Sequence, residues 1–293
     1  DLLRGKWKFN GYVVSDCWAI SDIYSFHKFV PEAAKAVSLT LKAGCDLTCG
    51  NEYVHLVDAL KCGYISENDL NVALKRLFTA RFKLGMFDPP SMVKYASIPV
   101  TAYNTEAHSK LAKEVARQSI VLLKNEDNVL PVTKKLKKVA VIGPYADDTT
   151  VLLGNNNGVP SDPVTILNGI QNKLGKGTKL LYAQGAEKPE VHALGKNPES
   201  NAIMAEEAFS IAKNSDVIIF VGGISPDLEG EELNLEVPGF MGGDRTSLDL
   251  PQNQVDLLIK LKSTGKPIVL ILTNGSALAV NWANENLPAI IEA

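Results

Sequence analysis

Length, composition and charge narrow the classes to which this protein can belong. The 293 residues are 45% hydrophobic and 22% charged, which is typical of folded domains and excludes a disordered chain. A net charge of -3 gives no extended positive field, so the composition does not support nucleic acid or an anionic membrane as a partner. No apolar run approaches the roughly 20 residues that cross a bilayer, so we expect no membrane span.

The first part of the chain is typical of alternating strands and helices. GYVVSDC, residues 11–17, predicts a short strand, and Pro31 then opens a helix. LTCG, residues 47–50, predicts a second strand end, and Ser66 caps a helix that runs to Gly85. These units predict part of a β/α barrel, which needs about 250 residues and eight strands when complete.

The rest of the chain predicts a second domain after a linker. FDPPSMVKYASIP contains three prolines and predicts a linker over residues 89–105. The predicted strands beyond it are KVAVIGP, KLLYA, DVIIFVGG, PIVLILTNG and PAIIE, and the predicted helices cover residues 106–124, 164–174, 202–214 and 252–263. Strands rich in Val and Ile that alternate with helices predict a mostly parallel sheet covered on both faces.

The sequence therefore predicts an α/β protein in two parts. Residues 1–88 are expected to be the C-terminal fragment of a barrel, and residues 106–293 an open α/β sandwich domain that is truncated at its C-terminus.

The four cysteines all lie in the first quarter of the chain. Cys17, Cys45, Cys49 and Cys62 have no metal-binding spacing, so we expect no metal and no other cofactor. Cys17 and Cys49 follow consecutive barrel strands at equivalent positions, so their Cα atoms should lie within disulfide reach, about 7 Å. A disulfide would indicate maturation in an oxidising compartment. Two buried free thiols are the alternative.

The strongest local signal is a carboxylate at the end of the first predicted strand. Val13, Val14 and Ser15 deliver Asp16 to the C-terminal end of that strand, where barrel enzymes assemble their active sites. On periodicity alone, a turn or N-cap aspartate is the competing interpretation.

Motifs along nearly the whole chain decide between these interpretations. They are LLRGKWKF, GYVVSDCWAI, LKAGCDLTCG, RLFTARFKLGMFD, SIVLLKNEDNVLP, VAVIGPYAD, GDRTSLDLP and PAIIEA. In this order and at this spacing they closely resemble glycoside hydrolase family 3. The resemblance implies strands seven and eight of a (β/α)8 barrel, a linker and an α/β sandwich domain. It also favours a secreted or periplasmic protein.

The resemblance implies a retaining, exo-acting β-glycosidase of the β-xylosidase or β-glucosidase type. Such an enzyme removes terminal non-reducing β-linked xylose or glucose, so the expected partner is a small oligosaccharide or glycoside. Asp16 occupies the nucleophile position of the family, and a carboxylate anion suits this role because it can form a covalent glycosyl ester. The alternative function is a non-catalytic carbohydrate-binding fragment that lacks a complete pocket.

The acid/base residue is expected in the loop ISPDLEGEELNLEVPGFMGGDR. Glu229 is favoured because Glu-Gly shortly after a Gly-Gly pair, with Pro226 three residues earlier, resembles the acid/base position of the family. Glu231 and Glu232 are close alternatives. The remaining carboxylates of the loop are Asp227, Glu236 and Asp244, and the last of these is expected to pair with Arg245 and hold the loop.

Three residues are expected to contact the sugar. Asp46 is placed at the end of the second barrel strand and resembles a position that shapes the sugar pocket, with a carboxylate that caps a turn as the alternative. Trp18 could offer its flat face to a pyranose ring or belong to the core. Asn156 lies in LGNNNG, which resembles LGNYNG-type loops of the family but has asparagine where an aromatic residue is common.

Overall fold

The computed structural model describes residues 2–133, 135–154, 158–189, 198–230, 233 and 237–293. The chain divides into two units, residues 1–102 and 103–293, and each has a hydrophobic core of its own. The stretch for which a linker was predicted contains the short 3₁₀ turns Pro90–Met92 and Val100–Ala102.

The first unit consists of two strands and the helices that follow them. Its elements are β1 (Val14–Cys17), α1 (Ala19–Ser25), α2 (Ala33–Ala43), β2 (Leu47–Cys49), α3 (Leu56–Lys61) and α4 (Glu67–Lys83), with short helical turns at Leu2–Lys6 and Glu52–His55. β1 pairs with β2 in parallel, and helices α1 and α2 lie between them in sequence. This is a β/α unit of the kind from which barrels are built.

The two helices predicted from sequence form for the expected reasons. Val37 and Leu41 are one turn apart in α2 and are both buried, and Gly44 ends the helix with a φ of 101°. Ser66 starts α4 with a capping box, in which its hydroxyl accepts from the Asp69 N–H and its own N–H donates to the Asp69 carboxylate at 2.8 Å.

The second unit is built around one large sheet. Its elements are α5 (Glu106–Ser119), β3 (Val121–Asn125), β4 (Lys138–Ile142), α6 (Ile166–Lys173), β5 (Lys179–Ala183), α7 (Pro198–Lys213), β6 (Val217–Gly223), β7 (Phe240–Met241), β8 (Asp244–Arg245), α8 (Gln252–Lys262), β9 (Ile268–Thr273), α9 (Asn281–Asn286) and β10 (Ala289–Glu292). The order in the sheet is β3-β10-β9-β6-β4-β5, and all neighbours are parallel except β3 and β10.

Both faces of this sheet are buried, as the Val- and Ile-rich strands predicted. Alternate residues of β4 point to opposite faces. Ala140 and Ile142 pack in one cluster with residues of α7 and α8. Val139 and Val141 pack in the other cluster, which includes Leu167 of α6. The unit is therefore a three-layer α/β sandwich whose carboxyl strand ends form one edge.

The helix predicted over residues 106–124 is correct as far as Ser119 and wrong in its last five residues. α5 ends at Ser119, and Val121–Asn125 instead forms β3, which pairs antiparallel with β10. Val121 is β-branched and fits a strand, but its partner Glu292 in β10 lies more than 160 residues away in sequence. The short hairpin β7–β8 and helix α9 were also not predicted.

No described helix is long and apolar enough to cross a membrane.

Candidate functional site

The end of β1 carries a bulge at the residue singled out by the sequence. In the register of the pair, Val14 faces Leu47 and Cys17 faces Cys49, so three residue steps of β1 oppose two steps of β2. The extra residue falls in the segment Ser15–Asp16. Bulges of this kind locally disrupt the ladder and re-aim a side chain, and they are common beside active sites.

Asp16 is exposed at this bulge and is held by its own neighbour. The Cys17 N–H donates to Asp16 Oδ1 at 2.8 Å. Trp18 follows with a φ of 65°, which is uncommon for a residue other than glycine, and its side chain is exposed. Such backbone persists only where its surroundings hold it, here through the Trp18 N–H, which donates to the Cys49 carbonyl oxygen at 2.8 Å.

A disulfide joins the ends of the two strands. Cys17 and Cys49 are bonded and their Cα atoms are 4.3 Å apart, which confirms the sequence prediction. Cys45 and Cys62 are free.

Asp46 does not lie where the sequence analysis placed it. It precedes β2 instead of ending it, so it lies beside Val13 at the opposite end of the strands from Asp16. Its side chain is only 1% exposed, and its carboxylate accepts from Arg4 at 2.6 Å, from Arg76 at 2.9 Å and from the Val13 N–H at 2.9 Å. This geometry favours a carboxylate that holds the strands together, not one that contacts a sugar.

The loop that carries Glu229 begins where β6 ends, at Gly223. With a φ of 124°, Gly223 approaches β9 so closely that a Cβ atom would lie 2.1 Å from the Thr273 carbonyl oxygen. The Gln254 side chain is fully buried, and its amide both donates to the Gly223 carbonyl at 2.9 Å and accepts from the Gly223 N–H at 2.8 Å. The start of the loop is therefore rigidly fixed at the carboxyl edge of the sheet, where ligands bind in such folds.

Glu229 is half-buried beside the end of β9. Its Oε2 atom accepts from the Gly275 N–H at 2.8 Å. The side chain lines a cavity of about 480 Å³, together with Arg245, Asn274 and Ser276. The described residues that line the cavity all belong to the second unit, and they combine apolar side chains with a few polar and charged ones, as pockets for small ligands do.

The other residues expected in or near the site are either exposed or outside the described residues. Asp227 and Asp244 are exposed. Glu231, Glu232, Glu236 and Asn156 lie outside the described residues.

The prediction that Asp244 pairs with Arg245 is wrong. Arg245 does hold the loop, but through other partners. Arg245 donates to the Ser247 carbonyl and the Ser276 hydroxyl, both at 3.0 Å, and lies over the Phe240 ring at 4.9 Å. The two side chains are neighbours in a strand, so they point to opposite faces and cannot meet.

Sequence reasoning missed the residues that hold the two carboxylates. Cys49 and Ser15 hold the bulge, and Gly275 and Gln254 fix Glu229 and its loop. The sequence could have indicated Gln254, because it is a polar residue on the apolar face of a helix that also buries Leu257 and Leu258. The described residues contain no group of three or more His, Cys, Asp or Glu side chains that could hold a metal ion.

Comparisons with known proteins match both units. Residues 120–293 match the family model described as Glycosyl hydrolase family 3 C-terminal domain, and residues 1–80 match the Glycosyl hydrolase family 3 N terminal domain. Among solved structures, a GH3 exo-beta-xylosidase in complex with a xylobiose aziridine probe superposes with a TM-score of 0.82 at 31% identity. That match covers 98% of this chain and 35% of the xylosidase.

Similar curated proteins carry the names of two activities. A periplasmic beta-glucosidase of Salmonella typhimurium is 36% identical over all of this chain and 39% of its own length. A xylan 1,4-beta-xylosidase of Xylanibacter ruminicola is 28% identical over all of this chain and 50% of its own length. The chain thus spans half or less of the relatives it matches. Both units match models of the same family, and the C-terminal model alone covers more than half of the chain. This chain therefore belongs to glycosyl hydrolase family 3.

Proposed function

We propose that this chain carries the nucleophile and the acid/base of a retaining, exo-acting β-glycosidase that removes terminal β-linked xylose or glucose. The observation that carries the proposal is the exposed Asp16 carboxylate at a bulge on the carboxyl end of a barrel strand. The names of the relatives, beta-xylosidase and beta-glucosidase, support the substrate class.

In this mechanism the Asp16 carboxylate attacks the anomeric carbon of the sugar. The bond between that carbon and the leaving oxygen breaks as a covalent glycosyl ester forms on Asp16, and water then hydrolyses the ester. The Cys17 N–H binds one carboxylate oxygen and so fixes the side-chain rotamer, which supports attack from the other oxygen.

Glu229 serves as the acid/base in the same proposal. It protonates the leaving oxygen in the first step and accepts a proton from the attacking water in the second. The hydrogen bond from Gly275 and the cavity support this assignment, because the bond fixes a carboxylate in the wall of a space that a sugar could enter. Glu231 and Glu232 remain the alternatives.

We further propose that the protein matures in an oxidising compartment such as the periplasm. The disulfide between Cys17 and Cys49 supports this location, because disulfides persist mainly outside the cytosol. The Salmonella relative named as periplasmic supports it as well.

Replacement of Asp16 tests the proposal in the full-length enzyme. Asp16→Ala should lower kcat on aryl β-xylosides and β-glucosides by about a thousandfold or more while the protein stays folded. Added azide should restore part of the rate and give a glycosyl azide of inverted configuration, because the small anion takes the place of the carboxylate. Asp58→Ala, at an exposed position of α3, is the control and should keep the wild-type rate. A rate above a few per cent of wild type in Asp16→Ala would show that Asp16 is not the nucleophile.

A further inference from the structure

We propose that Cys49 is a positioning residue for Asp16, and that its disulfide with Cys17 is needed for full catalytic rate as well as for stability. The inference rests on the nucleophile role proposed above for Asp16. It concerns Ser15, Cys17 and Cys49, to none of which the proposed mechanism assigns a contact with substrate.

The bulge creates the need for such a residue. A bulge leaves one residue outside the regular ladder, so the backbone around Ser15 and Asp16 lacks part of the pairing that would hold a regular strand. A nucleophile at this point has to be held by other bonds, because a displacement of about 1 Å can cost a factor of about 100 in rate.

Cys49 supplies these bonds through three different groups. Its N–H donates to Ser15 Oγ at 3.0 Å, its carbonyl oxygen accepts from the Trp18 N–H at 2.8 Å, and its sulfur is bonded to Cys17. Cys49 thus binds the residue before Asp16 and both residues after it. Asp16 is left with its carboxylate exposed and one oxygen held by Cys17.

A buried carboxylate determines that Ser15 Oγ is the acceptor of the hydrogen bond from the Cys49 N–H. Thr48 donates its hydroxyl proton to Glu52 Oε2 at 2.7 Å, so in its 3.4 Å contact with the Ser15 hydroxyl it must be the acceptor. Ser15 then donates to Thr48 and is free to accept from the Cys49 N–H. Glu52 is only 4% exposed, so this chain of hydrogen bonds is anchored in the interior of the unit.

Loss of the disulfide should loosen the nucleophile without unfolding the unit. The two hydrogen bonds of Cys49 and the Asp46 contacts at the other end of the strands remain in place. Only the covalent tie to Cys17, the residue whose N–H holds the Asp16 carboxylate, is lost. We therefore expect kcat to fall by about 10- to 100-fold, while KM changes less than about threefold.

A double variant of the full-length enzyme tests the inference. Cys17→Ser/Cys49→Ser removes the disulfide, and Cys45→Ser/Cys62→Ser, which replaces the two free thiols, is the matched control. The measurements are kcat and KM on the aryl β-xyloside or β-glucoside that the wild type hydrolyses faster, the rate of covalent trapping by the activated 2-fluoro derivative of the same sugar, and the thermal midpoint. Trapping should be about 10- to 100-fold slower in the first variant and unchanged in the control.

Reduction of the folded wild-type enzyme provides a second measurement if the variant folds poorly. A dithiol reagent supplies two electrons and two protons, which leaves two cysteine thiols and the cyclic disulfide of the reagent. The trapping rate of the wild type should fall to that of the double variant, and reoxidation should restore it. The folded double variant, where it is obtained, should not respond to the reagent.

The outcomes separate this inference from the proposed function. Wild-type enzyme that is labelled on Asp16 by neither an activated 2-fluoro xyloside nor an activated 2-fluoro glucoside would refute the proposed function and the inference together. Labelling of the wild type on Asp16, with equal trapping rates per folded molecule in the double variant or in the reduced enzyme, would refute the inference alone. A rise in KM at unchanged kcat would also refute it, since that pattern belongs to a residue that binds substrate.

Discussion

At the scale of single residues, the two proposed catalytic carboxylates are held in the same way. Asp16 accepts from the N–H of Cys17 and Glu229 accepts from the N–H of Gly275, each at 2.8 Å. A backbone N–H fixes a carboxylate without bringing a mobile counter-charge into the site. The Asp16 carboxylate is also exposed, so its other oxygen stays available to a ligand, as the nucleophile role requires.

Replacement of Glu229 should separate substrates by their leaving groups. Glu229→Ala in the full-length enzyme should slow the hydrolysis of xylobiose by about 100- to 10,000-fold, because its leaving oxygen needs a proton. Aryl glycosides with acidic phenols should be affected far less, and the basic limb of the pH profile should disappear.

A neighbouring carboxylate provides the control for that variant. Asp227→Ala lies in the same loop and is exposed, so it should behave like wild type. The assignment of Glu229 would be wrong if Glu231→Ala or Glu232→Ala showed the leaving-group dependence and Glu229→Ala did not.

At the scale of secondary-structure elements, Asp46 joins three parts of the first unit. Its carboxylate binds Val13 just before β1, Arg76 of α4 and Arg4 near the beginning of the chain. Arg4 also donates to the Gly11 carbonyl oxygen at 2.8 Å. Asp46 thus fixes the strands at the end opposite to the disulfide.

The structure predicts a loss of stability, not of substrate affinity, on replacement of Asp46. Asp46→Asn keeps the shape of the side chain but leaves two arginines without their buried counter-charge, which costs about 3 kcal/mol or somewhat less because both arginines are partly exposed. Asp58→Asn, whose bridge to Lys61 is long and exposed, should cost about 0–1 kcal/mol. Thermal midpoints of the two variants check that Asp46→Asn is the more destabilising. A large rise in KM for Asp46→Asn would show instead that Asp46 contacts the sugar.

Elements decided by local sequence could be predicted, and those decided by distant partners could not. Val37, Leu41 and the Ser66 cap specify their helices within a few residues, so α2 and α4 were predicted correctly. β3 exists because β10 pairs with it. Asp46 was misplaced for a related reason, since only the register with β1 shows which end of β2 it occupies.

The bulge at Asp16 also arises from a difference in residue count between two strands that are far apart in sequence, so no local pattern reveals it. The family motifs singled out Asp16 and Glu229, whereas the atoms that hold them became visible only in the structure.

At the scale of the whole molecule, carboxyl groups with lowered pKa values link stability to pH in both units. Hydrogen bonds from the Ser66 backbone and hydroxyl lower the pKa of Asp69. Hydrogen bonds from the Lys138 and Lys137 backbone lower the pKa of Asp216. Burial pushes the pKa of Asp148 upward, but the Lys188 ammonium and the hydrogen bonds from Thr150 outweigh it, so the pKa is lowered there too.

The sign of the effect follows from the direction of these shifts. A carboxyl whose pKa is lower in the folded state binds protons more readily when unfolded. Its stabilising contribution is complete at pH values above the unfolded pKa of about 3.9 and is lost as the pH falls through the lower folded value. These carboxyl groups should therefore leave the thermal midpoint of the enzyme unchanged between about pH 5 and neutral pH, and should lower it as the pH drops below about 4.

Asp148 allows this dependence to be assigned to one group. It is 5% exposed, its carboxylate is 2.6 Å from Lys188 Nζ, and it accepts from the Thr150 N–H at 2.8 Å and hydroxyl at 2.7 Å. Asp148→Asn should lower the thermal midpoint at pH 7, because the ion pair is lost. The gap between variant and wild type should narrow below pH 4, where the wild-type carboxylate becomes protonated and loses the same interaction. Asp256→Asn, at an exposed position of α8, should show little gap at any pH. A gap for Asp148→Asn that stays constant from pH 7 to pH 3 would show that Asp148 acts through packing and not through its charge.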